Sequence, residues 1–129
     1  MATKTTFAPM LAIPSGVTDI SFYAKAFGAV ELRRWSNDDG SIHVAELSLD
    51  GAMFHLHEKI SRTNVLNPAK AGTTTVVIGL FVDDVHALFN QAVAAGATVI
   101  SPVQDYEYDY RQGEIADIFG HHWQIQKKI

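Results

Sequence analysis

The chain contains no cysteine, which excludes disulfide bonds, thiolate metal sites and a cysteine nucleophile. It also lacks any basic cluster larger than Arg33-Arg34 or Lys127-Lys128, and its formal net charge is -4. Nucleic acid is therefore not an expected partner, because phosphate binding needs a concentrated positive face. No apolar run approaches the ~20 residues that a membrane span requires, so we expect no membrane partner either.

The N-terminal segment has no long apolar stretch of the kind that signal peptides carry, because Pro9 and Pro14 interrupt it. We therefore expect a cytoplasmic protein. What the chain does have is an ordinary globular composition, with 129 residues of which 47% are hydrophobic and 19% charged. That length is typical of one domain with its own core.

The sequence contains one pattern twice, an amphipathic stretch that ends in glycine and is followed by a β-rich run. The first stretch follows Ser15, has apolar residues three to four apart, and ends at Gly28. The second follows Asp83 or Asp84 and ends at Gly96. Serine and aspartate can cap a helix start, and glycine favours the backbone of a helix end. The pattern predicts one helix in each half.

Strands are predicted around each helix, and each half closes with a hairpin. The predicted strands are 7–13, 30–35, 42–49 and 52–57 in the first half, with a turn at Asp50-Gly51, and 74–82, 98–103, 114–118 and 121–129 in the second, with a turn at Phe119-Gly120. The order β-α-β-β-β thus occurs twice, in module one (5–58) and module two (74–129), joined by a linker (59–73). The sequence predicts a single α+β domain, residues 1–129, in which two βαβββ modules form curved mixed sheets around a cavity.

Several short motifs follow one another in an order that one protein family shares. They are Asp83-Asp84, Ala95-Gly96-Ala97, Tyr110-Arg111-Gln112-Gly113, Ala116-Asp117 and Phe119-Gly120-His121-His122-Trp123 in the second half, and Phe22-Tyr23, Ala26-Phe27-Gly28-Ala29 and Ala45-Glu46-Leu47 in the first. With these motifs the chain resembles the vicinal-oxygen-chelate superfamily (glyoxalase/bleomycin resistance/dioxygenase), and most closely its PhnB-like branch. It departs from that branch at Ile118, where proline is usual, and at Tyr110, where aspartate is usual.

The resemblance implies paired βαβββ units that usually form homodimers. Enzymes of the family, such as glyoxalases, fosfomycin-modifying transferases and extradiol dioxygenases, hold one divalent metal. Other members, such as bleomycin-sequestering proteins, bind a ligand without metal. Because this fold hosts many chemistries, the resemblance leaves open whether the chain is an enzyme.

The family's metal ligands correspond to four positions of this sequence. The two on the first strand of each module fall at about Ala8 and Val77, whose side chains have no lone pair to donate. The two on the closing hairpins fall at His55 and Gln124, and the Gln supplies only a neutral amide oxygen. Catalytic zinc usually has three protein ligands. We therefore expect no cofactor; if a divalent metal is bound, His55 and Gln124 are its expected ligands.

Two groups of side chains are candidates for lining a ligand groove. His55 and His57 share one face of a strand, because strand side chains alternate. The favoured interpretation is that they form a polar wall of the groove, and the alternative is that they bind a metal ion together. As a strand, the stretch 105–110 would place Tyr106, Tyr108 and Tyr110 on one face, suited to stacking or cation–π contact, although tyrosines packed on the core are an equal alternative. The predicted ligand-binding residues are His55, His57, Gln124, Tyr106, Tyr108 and Tyr110.

Three further predictions concern single residues of the last hairpin. Trp123 is expected to pack under the helices. Arg111 and Asp117 are expected to pair across the hairpin. His121 and His122 face opposite ways in a strand, so we expect one of them to be exposed and His122 to have a structural role.

These observations support three functional hypotheses. The first is a metal-independent binding protein, a homodimer whose groove takes a small aromatic or cationic molecule. The second is a metal-dependent lyase, isomerase or dioxygenase, in which His57, Glu58 or a second subunit supplements His55 and Gln124. The third is a stress or regulatory module without catalysis, which the sequence does not distinguish from the first. The carboxylates considered for acid–base chemistry are Glu46, Glu58 and Glu114.

Overall fold

The computed structural model describes residues 4–59 and 68–129, so most of the predicted linker lies outside the described residues. The elements are β1 (Met10–Ile13), α1 (Phe22–Phe27), β2 (Val30–Ser36), β3 (Ile42–Leu49), β4 (Ala52–Glu58), α2 (Pro68–Ala71), β5 (Val77–Phe81), α3 (Val85–Ala94), β6 (Thr98–Tyr106), β7 (Tyr110–Ala116) and β8 (His122–Lys128). All eight predicted strands are present, with β1, β5 and β7 shifted or shortened at their ends.

The strands form two four-stranded mixed sheets of the same design. Sheet A has the order β1-β4-β3-β2, and sheet B has the order β5-β8-β7-β6. In each sheet the first strand runs parallel to the last strand of its module, and the other pairs are antiparallel. The predicted α+β fold of two βαβββ modules is confirmed.

Both predicted hairpin turns are present. Asp50 and Gly51 have φ values of 52° and 92°, the left-handed backbone that a two-residue hairpin turn requires at both positions. In the second hairpin, the Gly120 N–H donates to the Asp117 carbonyl at 3.0 Å, and Gly120 has a φ of 88°.

The first helix begins later than the sequence predicts. It starts at Phe22, and Ser15 does not cap it; the Ser15 hydroxyl instead donates to the Lys59 carbonyl at 2.8 Å. Gly16 has a φ of 90°, which interrupts any helix there, and the Val17 carbonyl accepts from the Ile42 N–H at 2.8 Å. The segment before α1 is therefore hydrogen-bonded to β3 and does not form the start of the helix.

The other helix ends follow the predicted chemistry. The Asp84 side chain accepts from the Ala87 N–H at 3.0 Å and caps α3, which decides between the two candidate aspartates. Gly28, with a φ of 72°, ends α1, and its N–H donates to the Ala24 carbonyl. Within residues 4–59 and 68–129, no helix has the length and apolar character needed to cross a membrane.

The two modules share one hydrophobic core. Trp123 of β8 is 1% exposed, and its ring centroid lies 4.8 Å from that of Phe27 in α1 and 5.3 Å from that of Phe54 in β4. Tyr23 and Phe119 complete this aromatic cluster. The helix-facing sides of both sheets are thus buried against each other, and Trp123 packs under the helices as predicted.

Asp117 joins the two modules at the centre of this core. Its carboxylate accepts from the Tyr23 hydroxyl at 2.7 Å, from Trp123 Nε1 at 3.0 Å, and from the backbone N–H groups of Phe119 and His121 at 2.9 and 3.0 Å. Burial, followed by the nearby carboxylate, raises the pKa of Tyr23 well above its ordinary value. The buried phenol therefore stays protonated, and it donates this proton to Asp117.

The predicted pair between Arg111 and Asp117 is wrong. Asp117 is buried, whereas Arg111 lies at the surface and binds Asp105 through two hydrogen bonds of 2.7 and 3.1 Å. The prediction that one of the two adjacent histidines is exposed is also wrong. His121 is buried, with Nε2 2.7 Å from the Ala12 carbonyl, and His122 is half-buried. Module one covers His121, and strand alternation does not describe such a contact between modules.

Candidate functional site

Sheet A carries two histidines on the face turned away from the core. In β4, Phe54 and Leu56 point into the core, so His55 and His57 point to the opposite side, called here open face A. Their rings are stacked, with centroids 5.8 Å apart and an interplanar angle of 12°. The predicted pair therefore does share one face, next to Glu46, which lies opposite His55 in β3.

His57 is electrostatically unusual. Its Nε2 is buried and has no hydrogen-bond partner among the described residues. Burial is the main cause of a pKa below the ordinary value for His57, and the positive charges that His55 and His43 can carry lower it further. The lowered pKa makes His57 a weaker base and favours the neutral imidazole.

Sheet B carries a row of glutamines on its corresponding face, called here open face B. Trp123 and Ile125 point into the core, so Gln124 and Gln126 alternate to the other side. The Tyr108 hydroxyl donates to Gln112 Oε1. Gln112 Nε2 and Gln124 Nε2 then both donate to Gln126 Oε1, at 3.1 and 2.9 Å. Gln124 is thus one end of a hydrogen-bonded amide row.

The three predicted tyrosines lie together, but not because they alternate along one strand. Tyr106 ends β6 and Tyr110 begins β7, and the two are cross-strand partners, with Tyr108 in the turn between them. Asp109 has a φ of 63°, which makes the tight turn possible. The Tyr106 and Tyr108 rings are stacked at 5.3 Å, and Tyr108 and Tyr110 are 5.9 Å apart. The hairpin keeps the rings near solvent, with Tyr108 55% exposed, and not in the core.

Open face B contains a pair that the sequence analysis missed. His122 Nδ1 lies 2.9 Å from Glu114 Oε2, and both side chains are largely but not fully buried. A carboxylate that binds one imidazole nitrogen orients the ring and leaves the other nitrogen free for proton transfer. Strand register is the signal that could have found it: Glu114 pairs with Gln124 and Ala116 pairs with His122, so the two side chains are diagonal neighbours.

The two open faces lie on different sides of the molecule. Each is the reverse of a sheet face that packs into the shared core, where the rings of Phe54 and Trp123 meet. Within residues 4–59 and 68–129, no hydrogen bond, ion pair or ring contact joins His55 or His57 to Gln124 or the tyrosines. One chain therefore separates the predicted site residues into two groups.

The strand register tests whether these residues fit a divalent metal. Met10 of β1 pairs with His55, and Gly79 of β5 pairs with Gln124, so these residues, and not Ala8 and Val77, are the nearest first-strand neighbours. A thioether suits soft ions, and glycine offers no side chain at all. In the described part of the chain, no three His, Cys, Asp or Glu side chains are grouped as a metal site requires. The residues of one chain do not fit the family's metal.

A mostly apolar groove of about 850 Å³ separates the edge strands β1 and β5. Its lining includes Met10, Ala12, Val77, Gly79 and His121. The groove thus reaches the first-strand positions of both modules without containing His55 or Gln124.

Comparisons with known proteins agree with the two-module fold. The family model for the Glyoxalase/Bleomycin resistance protein/Dioxygenase superfamily matches residues 18–125. Uncharacterized protein Rv0887c of Mycobacterium tuberculosis is 37% identical over 125 residues, which span 95% of this chain and 74% of that protein. The structure of the Arabidopsis thaliana At5g48480 gene product has a TM-score of 0.72 at 27% identity, covering 95% of this chain and 98% of that one. TioX from Micromonospora sp. ML1 has a TM-score of 0.69 at 26% identity, covering 97% of each chain.

Proposed function

Because the chain belongs to the glyoxalase/bleomycin resistance protein/dioxygenase superfamily, we propose that it binds a small aromatic or cationic molecule in a groove that two copies of the chain enclose. The observation that carries the proposal is the tyrosine cluster of open face B, which leaves stacked rings in solvent beside polar amides. Rings of this kind stack on planar ligands and attract cations through their electron-rich faces.

The homodimer is part of the proposal because a single chain turns its two open faces apart. A second copy that sets its open face B against open face A would bring Gln124 and the tyrosines opposite His55 and His57. Both faces have apolar side chains to bury in such contact: Met10 is 62% exposed on one and Phe81 is 62% exposed on the other. Sedimentation velocity over a range of concentrations tests this point, and a monomer at all concentrations contradicts it.

We propose that this groove functions without the family's metal. The support is chemical: Met10 and Gly79 occupy the places beside His55 and Gln124 where further ligands are needed. Within the superfamily we favour the PhnB-like branch, on the motif that ends at Trp123. The domain limits (1–129, with modules 5–58 and 74–129) and the cytoplasmic location stay predictions.

Ligand-observed NMR with a panel of aromatic and cationic compounds tests the proposed function. We expect saturable binding of at least one compound, weakened about two- to tenfold in Tyr108→Ser, since one aromatic contact contributes about 0.5–1.5 kcal/mol. Val93→Ser, an exposed apolar site on α3, is the matched control and should bind as the wild type does. A panel without any saturable ligand, or equal weakening in both variants, contradicts the proposal.

The stacked histidines favour a second candidate, a metal-dependent lyase, isomerase or dioxygenase. His55 and His57 supply two imidazoles on one face, and His57 Nε2 lacks a partner among the described residues. Metal content by mass spectrometry, on protein purified without chelator or affinity tag, distinguishes the candidates. About one divalent ion per chain, lost in His55→Ala, favours the enzyme; no ion after incubation with several divalent metals favours the binding protein.

A further inference from the structure

The hydrogen bonds of the amide row of open face B converge on Gln126 Oε1. Because the Tyr108 hydroxyl donates to Gln112 Oε1, the amide nitrogen of Gln112 is turned toward Gln126. Gln126 Oε1 then accepts from Gln112 and Gln124, which uses both of its lone pairs. The row therefore leaves a defined acceptor, Gln124 Oε1, and a defined donor, Gln126 Nε2; no hydrogen bond of residues 4–59 and 68–129 uses either atom.

The donor is held in place by packing. Gln126 is only 7% exposed, and its amide occupies the space beside Gly79 in β5. A Cβ at position 79 would lie 2.8 Å from Gln126 Nε2, a distance that forces one of the two groups to move. The glycine thus makes room for the amide, and the two bonds accepted by Gln126 Oε1 keep it from rotating. A donor ordered before binding loses little conformational entropy when a ligand arrives.

The tyrosine cluster lies at the end of the amide row opposite Gln124. Tyr108, which begins the amide row, stacks on Tyr106, and Phe81 lies edge-on to Tyr110 with centroids 6.4 Å apart. The amide row thus runs from this aromatic cluster to Gln126 and Gln124.

We propose that Gln124 and Gln126 recognise an amide edge, that is, an adjacent N–H and C=O on a planar ring, as in a lactam or a ring carboxamide. Gln124 Oε1 accepts from the ligand N–H and Gln126 Nε2 donates to the ligand carbonyl, which complements both partners. The inference rests on the proposed function, since it uses the same face, and it narrows the ligand from any aromatic molecule to one that carries this pair.

Three probes of nearly the same shape test the inference by 15N-edited NMR titration. They are quinolin-2(1H)-one, which has both groups, its N-methyl derivative, which lacks the N–H, and quinoline, which has only a ring nitrogen acceptor. We expect the first probe to bind about tenfold more tightly than the other two, because a buried acceptor left unpaired is costly. Its binding should also shift the side-chain NH2 signals of Gln124 and Gln126.

Two variants make the test specific. Gln126→Glu keeps an oxygen for the two incoming bonds and replaces the outward donor by an acceptor, so the preference should fall below twofold. Asn90→Asp, with the same charge change at an exposed position on α3, should keep the full preference. If Gln126→Glu fails to fold, Gly79→Ala serves instead, since it displaces the same donor.

Equal affinity for the three probes overturns the inference while leaving the proposed function standing, provided that Tyr108→Ser weakens all three. Equal loss of preference in the Gln126 and Asn90 variants also overturns it. No binding of any probe overturns it as well, and the wider compound panel then decides the proposed function separately.

Discussion

Asp117 offers the sharpest test of how the two modules are held together. Its buried carboxylate accepts four hydrogen bonds, two from backbone N–H groups and two from Tyr23 and Trp123. All four partners donate to the carboxylate, and three of them, the two backbone N–H groups and the Trp123 N–H, cannot accept. Asn, although of the same shape, must therefore turn its NH2 group toward at least one donor, and no rotation of the amide avoids this.

The expected cost of Asp117→Asn follows from that mismatch. The Tyr23 hydroxyl can rotate to accept from the new NH2, but the Trp123 N–H then has no acceptor, at about 1–3 kcal/mol for one unpaired buried donor. Loss of the negative charge weakens the remaining bonds by about 1 kcal/mol. We expect the free energy of unfolding to fall by about 2–4 kcal/mol, out of a total of about 5–15 kcal/mol for a domain. Asp117→Ala, which also leaves a cavity, should cost about 3–5 kcal/mol or abolish folding.

Urea unfolding followed by tryptophan fluorescence and circular dichroism measures these changes. Tyr23→Phe removes one donor and should cost about 1.5–3 kcal/mol, the value of a hydrogen bond to a charged group. Asp38→Asn makes the same charge change at an exposed turn position and is the matched control. If Asp117→Asn were within about 0.5 kcal/mol of Asp38→Asn, the idea that four donors converge on one carboxylate would be refuted.

Three further predictions concern single positions, each measured by urea unfolding. Asp84→Ala should cost about 1 kcal/mol through the lost helix cap, whereas Asp83→Ala should cost less; equal effects would contradict the assigned cap. The pKa of His57 is lowered in the folded state, so the unfolded chain takes up the proton first, and stability is lost as pH falls from about 6.5 through the folded pKa. The His57→Gln variant should therefore lose less stability between pH 7.5 and pH 5.5 than the wild type. Curves of unfolding free energy against pH that run parallel for the two proteins would argue against the lowered pKa. Gly113→Ala should cost about 1–3 kcal/mol, because its Cβ would lie 2.7 Å from a ring carbon of Phe89; an unchanged midpoint would mean that β7 can move away from α3.

The strands and turns could be predicted because their signals are local. Alternation sets which side chains of a strand share a face, and Asp50-Gly51 suits only a tight hairpin. The first helix was predicted too early for a reason that no local signal reveals. The apolar spacing after Ser15 fits a helix, but Val17 is bonded to Ile42 in another strand, and that contact exists only after β3 has folded alongside.

In the candidate site, too, local signals predicted some features and missed those that depend on contacts between strands. Alternation alone placed His55 and His57 on one face. The tyrosines were predicted to cluster along a strand, whereas a turn at Asp109 brings Tyr106 and Tyr110 together from two strands.

The sequence by itself determined the fold class, the repeated module and the shared face of His55 and His57, because periodicity and turn chemistry act within a few residues. Only the tertiary structure decided that the two open faces point apart, since this depends on how Phe54 of one module meets Trp123 of the other. The pairing of His122 with Glu114 and the contact between Gln112 and Gln126 were likewise decided by cross-strand register. Register makes neighbours of residues that lie on different strands, and their separation in sequence does not reveal which residues will be in contact.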